Sequence, residues 1–126
     1  IATISLLVAA VGIITTLWTS VLERIREIGI LKAIGFKESD ILFLFLGEAL
    51  IIGIFGALIG IVTGVGLAYG LRFMFKSKIA EYVRPLFLPT TFIESFLLSV
   101  ILSIIAGIYP SWRASKLDPV VALRHE

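Results

Sequence analysis

The chain has 126 residues, of which 59% are hydrophobic, with a formal net charge of +2 and no cysteine. Soluble domains lie nearer 45–50% apolar, and a soluble fold of this length could not bury so much apolar surface, so a mean hydropathy of +1.09 points to lipid as the solvent. The missing cysteines exclude disulfides, thiolate catalysis and Cys-ligated metals, and basic residues spread over three segments do not make the clustered face that nucleic acid requires.

Residues 1–22 carry no charge. At ~1.5 Å per residue they span about 33 Å as a helix, enough to cross a bilayer core of about 30 Å. A lone strand would leave its backbone groups unpaired in lipid. Ser5, Ala9, Gly12, Thr16 and Ser20 recur three or four apart and line one face on which a second helix can approach closely. Trp18 lies near the charged end, as an interfacial aromatic should. The chain opens on Ile1 without a basic leader or a small-residue cleavage site, so it reads as the C-terminal part of a longer protein and not as a signal peptide.

Residues 23–40 leave the lipid. Val21, Leu22, Ile25 and Ile28 continue an apolar stripe at helical spacing while Glu23, Arg24, Arg26 and Glu27 are polar. That pattern predicts an amphipathic helix which continues the first span or lies on the membrane surface. Gly35 is placed to end it, and Ser39 or Asp40 is the expected N-cap of the next helix. The exposed charges together with apolar Ile28, Ile30, Leu31 and Ile34 suit a protein groove.

Residues 41–71 form one apolar run whose single charge is Glu48. As a helix the run is about 46 Å long and must project, tilt or kink. Gly53, Gly56, Gly60 and Gly64 form a ridge with two overlapping GxxxG spacings, costly in a soluble helix but a close-packing face in lipid. An intramembrane carboxylate is a functional candidate by default. Glu48 lies only ~12 Å inside the boundary, so a structural pairing with a basic residue of 23–40 or of the tail is the preferred expectation, with a proton or substrate contact as its alternative.

A mixed loop follows over residues 72–89, with Arg72, Lys76, Lys78, Glu81 and Arg84 among interfacial aromatics. Residues 90–109 are the third span, where Ser95, Ser99, Ser103 and Gly107 are spaced by four and make another small face. Pro110 is expected to end or kink it, and Tyr109 and Trp112 fit an interfacial belt. In the tail, 110–126, Asp118 followed by Pro119 is a helix-start signal, predicting a short terminal helix over about residues 119–125. Three spans place 23–40 and the tail on one side, with seven Lys/Arg (Arg24, Arg26, Lys32, Lys37, Arg113, Lys116, Arg124) against four opposite (Arg72, Lys76, Lys78, Arg84). The positive-inside rule therefore puts them in the cytoplasm.

Four pieces then resemble one family in order. REIGILKAIG, residues 26–35, is similar to the REIGxxKAxG signature of FtsX/MacB-like permeases of ABC transporters. FLGEA, residues 45–49, resembles that family's FLxEA-type helix start, with Gly47 where a bulkier residue is usual, a change expected to loosen that start. PSWRASKLDP, residues 110–119, resembles PxxxASxLDP, and the ending from Ala122 to Glu126 resembles ALRxE. The resemblance implies the second to fourth membrane helices of a four-helix subunit, paired with a cytoplasmic ATPase subunit or domain and usually a homo- or heterodimer. It implies that Arg26, Glu27, Ile28, Gly29, Ile30, Leu31, Lys32, Ala33, Ile34 and Gly35 form a coupling helix that docks on the ATPase. Members extrude macrolides or peptides, release lipoproteins or regulate cell-wall hydrolases.

The expectation is an all-α integral membrane domain over residues 1–126, in the cell membrane with its C-terminus cytoplasmic. It is not an enzyme by itself and binds no cofactor or metal, ATP belonging to the partner: no GxxxxGK[ST] loop or HExxH occurs, and His125 is the only histidine. An ion-coupled secondary transporter built on Glu48 and a non-transporting scaffold or regulator are the alternatives.

Overall fold

The computed structural model describes residues 1–74, 88–118 and 120. The loop segment at 75–87 and, apart from Val120, the predicted tail helix lie outside the described residues. Among the described residues the main helices follow in order: α1 (Ala2–Glu23), α2 (Ile25–Ala33), α3 (Glu38–Met74) and α4 (Pro89–Ser115). No strand occurs among the described residues. α1, α3 and α4 are each long and apolar enough to cross a membrane. With 22, 37 and 27 residues they extend roughly 33, 55 and 40 Å, so α3 and α4 outrun a hydrocarbon core of about 30 Å.

α4 lies between α1 and α3, which scarcely meet each other. Two glycines allow that approach. A Cβ on Gly107 of α4 would stand 2.6 Å from the Cβ of Ala49 on α3 and 3.3 Å from Cδ1 of Leu17 on α1. A Cβ on Gly53 of α3 would stand 2.8 Å from the Cβ of Ser103 and 3.2 Å from Cα of Val100. Between these contacts the Ser103 hydroxyl, fully buried, donates to the Ala49 carbonyl at 2.7 Å. Lipid provides no hydrophobic drive between helices, so dense packing and interhelical hydrogen bonds must hold them together.

Two local expectations are corrected. α4 does not end at Pro110 but runs on to Ser115, and Pro110 is buried inside it. Proline removes one helical N–H, and such a loss is tolerated where neighbouring groups re-satisfy the backbone. The N–H that Pro110 lacks would face the Ala106 carbonyl; the Ser111 hydroxyl donates to the next carbonyl, that of Gly107, at 2.6 Å. At the start of α3, neither Ser39 nor Asp40 is the N-cap, because the helix begins at Glu38. Asp40 instead accepts the Lys37 backbone N–H at 2.9 Å. A side chain in the first turn can satisfy an orphan donor by reaching back as well as by capping forward.

Burial is concentrated towards one end of the bundle, where Leu17, Val21, Ile28, Ile41, Phe45, Ala49, Ala106 and Ala114 are enclosed. Towards the other end the small residues stand apart. Gly56, Gly60 and Gly64 have nothing within 4 Å of an added Cβ, and together with Ser95 and Ser99 they line an open groove of about 370 Å³ between α3 and α4.

Gly107→Ala should therefore lower thermal stability in detergent by about 1–3 kcal/mol, the usual cost of overpacking. Gly60→Ala, made where there is open space, should leave stability unchanged or raise it by up to about 1 kcal/mol through helix propensity.

Candidate functional site

The charged segment folds as a short helix held at both ends by backbone devices. α1 and α2 are separated only by Arg24, at φ −107° and ψ 16°, whose N–H still bonds the Ser20 and Val21 carbonyls. α2 ends on Gly35, whose φ of +109° is the left-handed conformation glycine adopts at least cost. The Gly35 N–H donates to the Lys32 carbonyl and the Phe36 N–H to the Leu31 carbonyl, both at 3.1 Å. This paired closure caps the helix and turns the chain into α3.

The two faces of α2 have different surroundings. Inward, Ile28 (2% exposed) joins Val21, Ile41, Phe45 and Ala114 in one apolar cluster to which all four helices contribute, with Leu31 and Leu117 against it. Gly29 is buried as well. Outward, Arg26, Glu27, Ile30 (48% exposed), Ala33 and Ile34 (71% exposed) face away from the bundle. Lys32 goes with neither group: half-buried, its ammonium donates to the Leu117 carbonyl at 2.7 Å. Beside it Lys116 pairs with Glu38 at 2.6 Å, both side chains about half exposed. The Lys116 hydrogen bond, aided by the charges of Lys116 and Lys32, holds the Glu38 carboxyl, on the turn before the apolar run, below the usual carboxylate range.

The basic residues expected near Glu48 are described for 23–40 and, in the tail, for Arg113 and Lys116, while Arg124 lies outside the described residues. The hydrogen-bond partner of Glu48 among the described residues is the Ser20 hydroxyl on α1, which donates to Oε1 at 3.2 Å, and not a basic side chain. Oε2 is shielded and has no partner among the described residues. Gly47, in the same turn, has open space around it. Nearby, Trp18 and Tyr109 stack with ring centroids 6.3 Å apart. The Arg113 guanidinium lies 5.8 Å from the Trp18 centroid, a cation–π arrangement that joins α1 to α4 at the charged end. No group of three or more metal-ligating side chains is gathered among the described residues.

Sequence reasoning put Val21 on the same stripe as Ile28 but missed Phe45, Ala114 and Leu117 as parts of this site. The PSWRASKLDP motif pointed at the segment containing Ala114 and Leu117, but no periodicity assigns them a partner near residue 30.

Three long apolar helices tied by an amphipathic helix at one end define a multi-spanning membrane protein. Its family is shown by comparison: the FtsX-like permease C-terminal family matches residues 1–119, and the chain belongs to it, among the permeases of ABC transporters. The chain is 40% identical, over all 126 of its residues and 18% of the relative, to the macrolide export ATP-binding/permease protein MacB of Bdellovibrio bacteriovorus. It is 37% identical to MacB of Syntrophobacter fumaroxidans, over the whole chain and 17% of that relative. An uncharacterized ABC transporter permease of Methanocaldococcus jannaschii is 36% identical, over the whole chain and 32% of the relative. The chain thus spans less than a third of the length of these relatives.

The inner and outer faces of α2 should separate in a truncation experiment. Ile28→Ala should lower thermal stability by about 2–4 kcal/mol through the cavity it leaves. Ile30→Ala, on the open face, should change it by less than about 0.5 kcal/mol.

Proposed function

We propose that this segment is the part of an ABC transporter permease that receives the motion of a cytoplasmic ATPase and passes it across the membrane. The observation that carries the reading is the outward face of α2. Ile30 and Ile34 stand exposed among Arg26, Glu27 and Ala33, while the opposite face of the same helix is seated on a cluster drawn from every helix of the bundle. An exposed amphipathic ridge of this kind suits a complementary groove on a partner protein. Its seat on α4 offers a mechanical path, because α4 contacts both other spans.

In this reading the docking surface is Arg26, Glu27, Ile30, Ala33 and Ile34, whereas Ile28, Gly29 and Leu31 fasten the helix and Gly35 closes it. The charged end faces the cytoplasm, as the distribution of Lys and Arg favours. Nucleotide chemistry belongs to the ATPase. The relatives named as ATP-binding/permease proteins unite both functions in one name, which supports pairing here. A second permease copy and lipid complete the assembly, and macrolide export by those relatives makes an efflux substrate the first class to test. Glu48 supports a second reading, ion-coupled transport, through its shielded Oε2, which has no partner among the described residues.

A photo-crosslinker at Ala33 of the full-length protein should capture a nucleotide-binding ATPase, or the protein's own ATPase domain. Ile30→Asp should abolish ATPase association without loss of membrane insertion. Lipid capture alone, together with normal association in Ile30→Asp, would count against the reading. Glu48→Gln should leave ATP-driven activity within about threefold of wild type, because a partly buried polar exchange that keeps shape and the Ser20 bond costs little. Activity that follows the proton gradient and is lost in Glu48→Gln would favour ion coupling.

A further inference from the structure

Lys32 lies in the docking helix, yet its ammonium turns back into the protein. It donates to the carbonyl of Leu117, 85 positions later in the chain. The Leu117 side chain rests on the same apolar cluster as Leu31. One residue earlier Lys116 pairs with Glu38, the first residue of α3. One residue later Asp118 accepts the Val120 N–H at 2.9 Å and turns the chain onward. Residues 116–118 thus lie as a strap from the foot of α4 across α2 and the start of α3.

We infer that Lys32 is a positioning residue whose bond to the Leu117 carbonyl ties α2 to the foot of α4, so that displacement of α2 is delivered to the central helix of the bundle. The inference rests on the reading of α2 as an ATPase-docking helix. α2 is nine residues long, too short to be stable by itself. It is flanked by a break at Arg24 and by left-handed Gly35. Its covalent neighbours are α1 and α3. α4 is not its neighbour in sequence, and motion can reach it only through non-covalent contacts.

Among those contacts the Lys32 bond has the right character. A lysine supplies three donors on a flexible stem. The carbonyls at and just beyond a helix C-terminus attract a cation through the dipole and their missing partners. The bond is charge-assisted and half-buried, so solvent screens it less than the exposed Lys116–Glu38 pair. The apolar cluster resists separation but permits sliding, since it is non-directional; the hydrogen bond adds direction.

The test uses the full-length protein with its ATPase in nanodiscs. A spectroscopic label at Thr90, at the far end of α4, reports nucleotide-driven motion without requiring a transport substrate. Lys32→Met keeps the aliphatic stem and removes the donors, and Lys32→Arg keeps a charged donor. In Lys32→Met, ATPase association and ATP hydrolysis should stay at wild-type levels. The label's response to ATP should fall about tenfold, as loss of a coupling interaction predicts, and Lys32→Arg should restore most of it. Hydrogen exchange across residues 112–118 should rise several-fold in Lys32→Met, whatever α2 docks on.

A wild-type label response in Lys32→Met, or unchanged exchange, would overturn the inference. Loss of ATPase association in Lys32→Met would make Lys32 a docking residue and overturn it too. Raised exchange in Lys32→Met together with full ATPase association in Ile30→Asp would sink the docking reading instead, reducing the tie to a structural one and ending its coupling role.

Discussion

The structure depends on how closely α4 can approach its neighbours at the charged end. Inside lipid, apolar side chains gain nothing by exchanging lipid contacts for protein contacts, so only dense packing and interhelical hydrogen bonds bind one span to another. Gly107 lets α4 meet Ala49 and Leu17 at once. Nearer the charged end, where water is closer, apolar burial becomes more favourable. Val21, Ile28, Ile41, Phe45 and Ala114 collect there. Packing in the membrane and hydrophobic burial at its surface thus act on adjacent turns of the same helices.

This arrangement explains why burial is uneven along the bundle. Small residues alone do not bring helices together; they permit an approach that something else must enforce. Gly53 meets Ser103, while Gly56, Gly60 and Gly64 continue the same ridge along an open groove. The contacts from Ser103 with Ala49 to Lys32 with Leu117 run from the middle of the bundle to its charged end.

The segment at 23–40 combines two functions that its sequence superimposes. In a nine-residue helix the same run of residues must grip the bundle and face outward, and the turn geometry assigns them alternately. Ile28 is enclosed while Ile30, two positions on, is half exposed. Lys32 is drawn inward although its residue type belongs on a solvated face. Charge along the chain therefore did not mark which residues face outward.

Much was legible in the residues themselves. Long apolar runs with at most one charge each determine three spanning helices, because a lone segment in lipid satisfies its own backbone only as a helix. Gly35 marked the end of α2, because left-handed backbone costs glycine least. The order of short motifs from Arg26 to Asp118 identified the family. Other features were decided only by tertiary structure. Pro110 is carried inside a helix whose turns on either side of it, at Ala106, Gly107, Ser111 and Ala114, are buried against their neighbours. Glu48 bonds Ser20 because α1 brings that hydroxyl within reach. Leu117 becomes the partner of Lys32 because α4 is long enough to return its end to α2. Periodicity reports which face of an element is apolar, through interactions a few residues apart; it holds no information on which distant carbonyl a flexible ammonium will meet, since that is set by where whole helices come to rest.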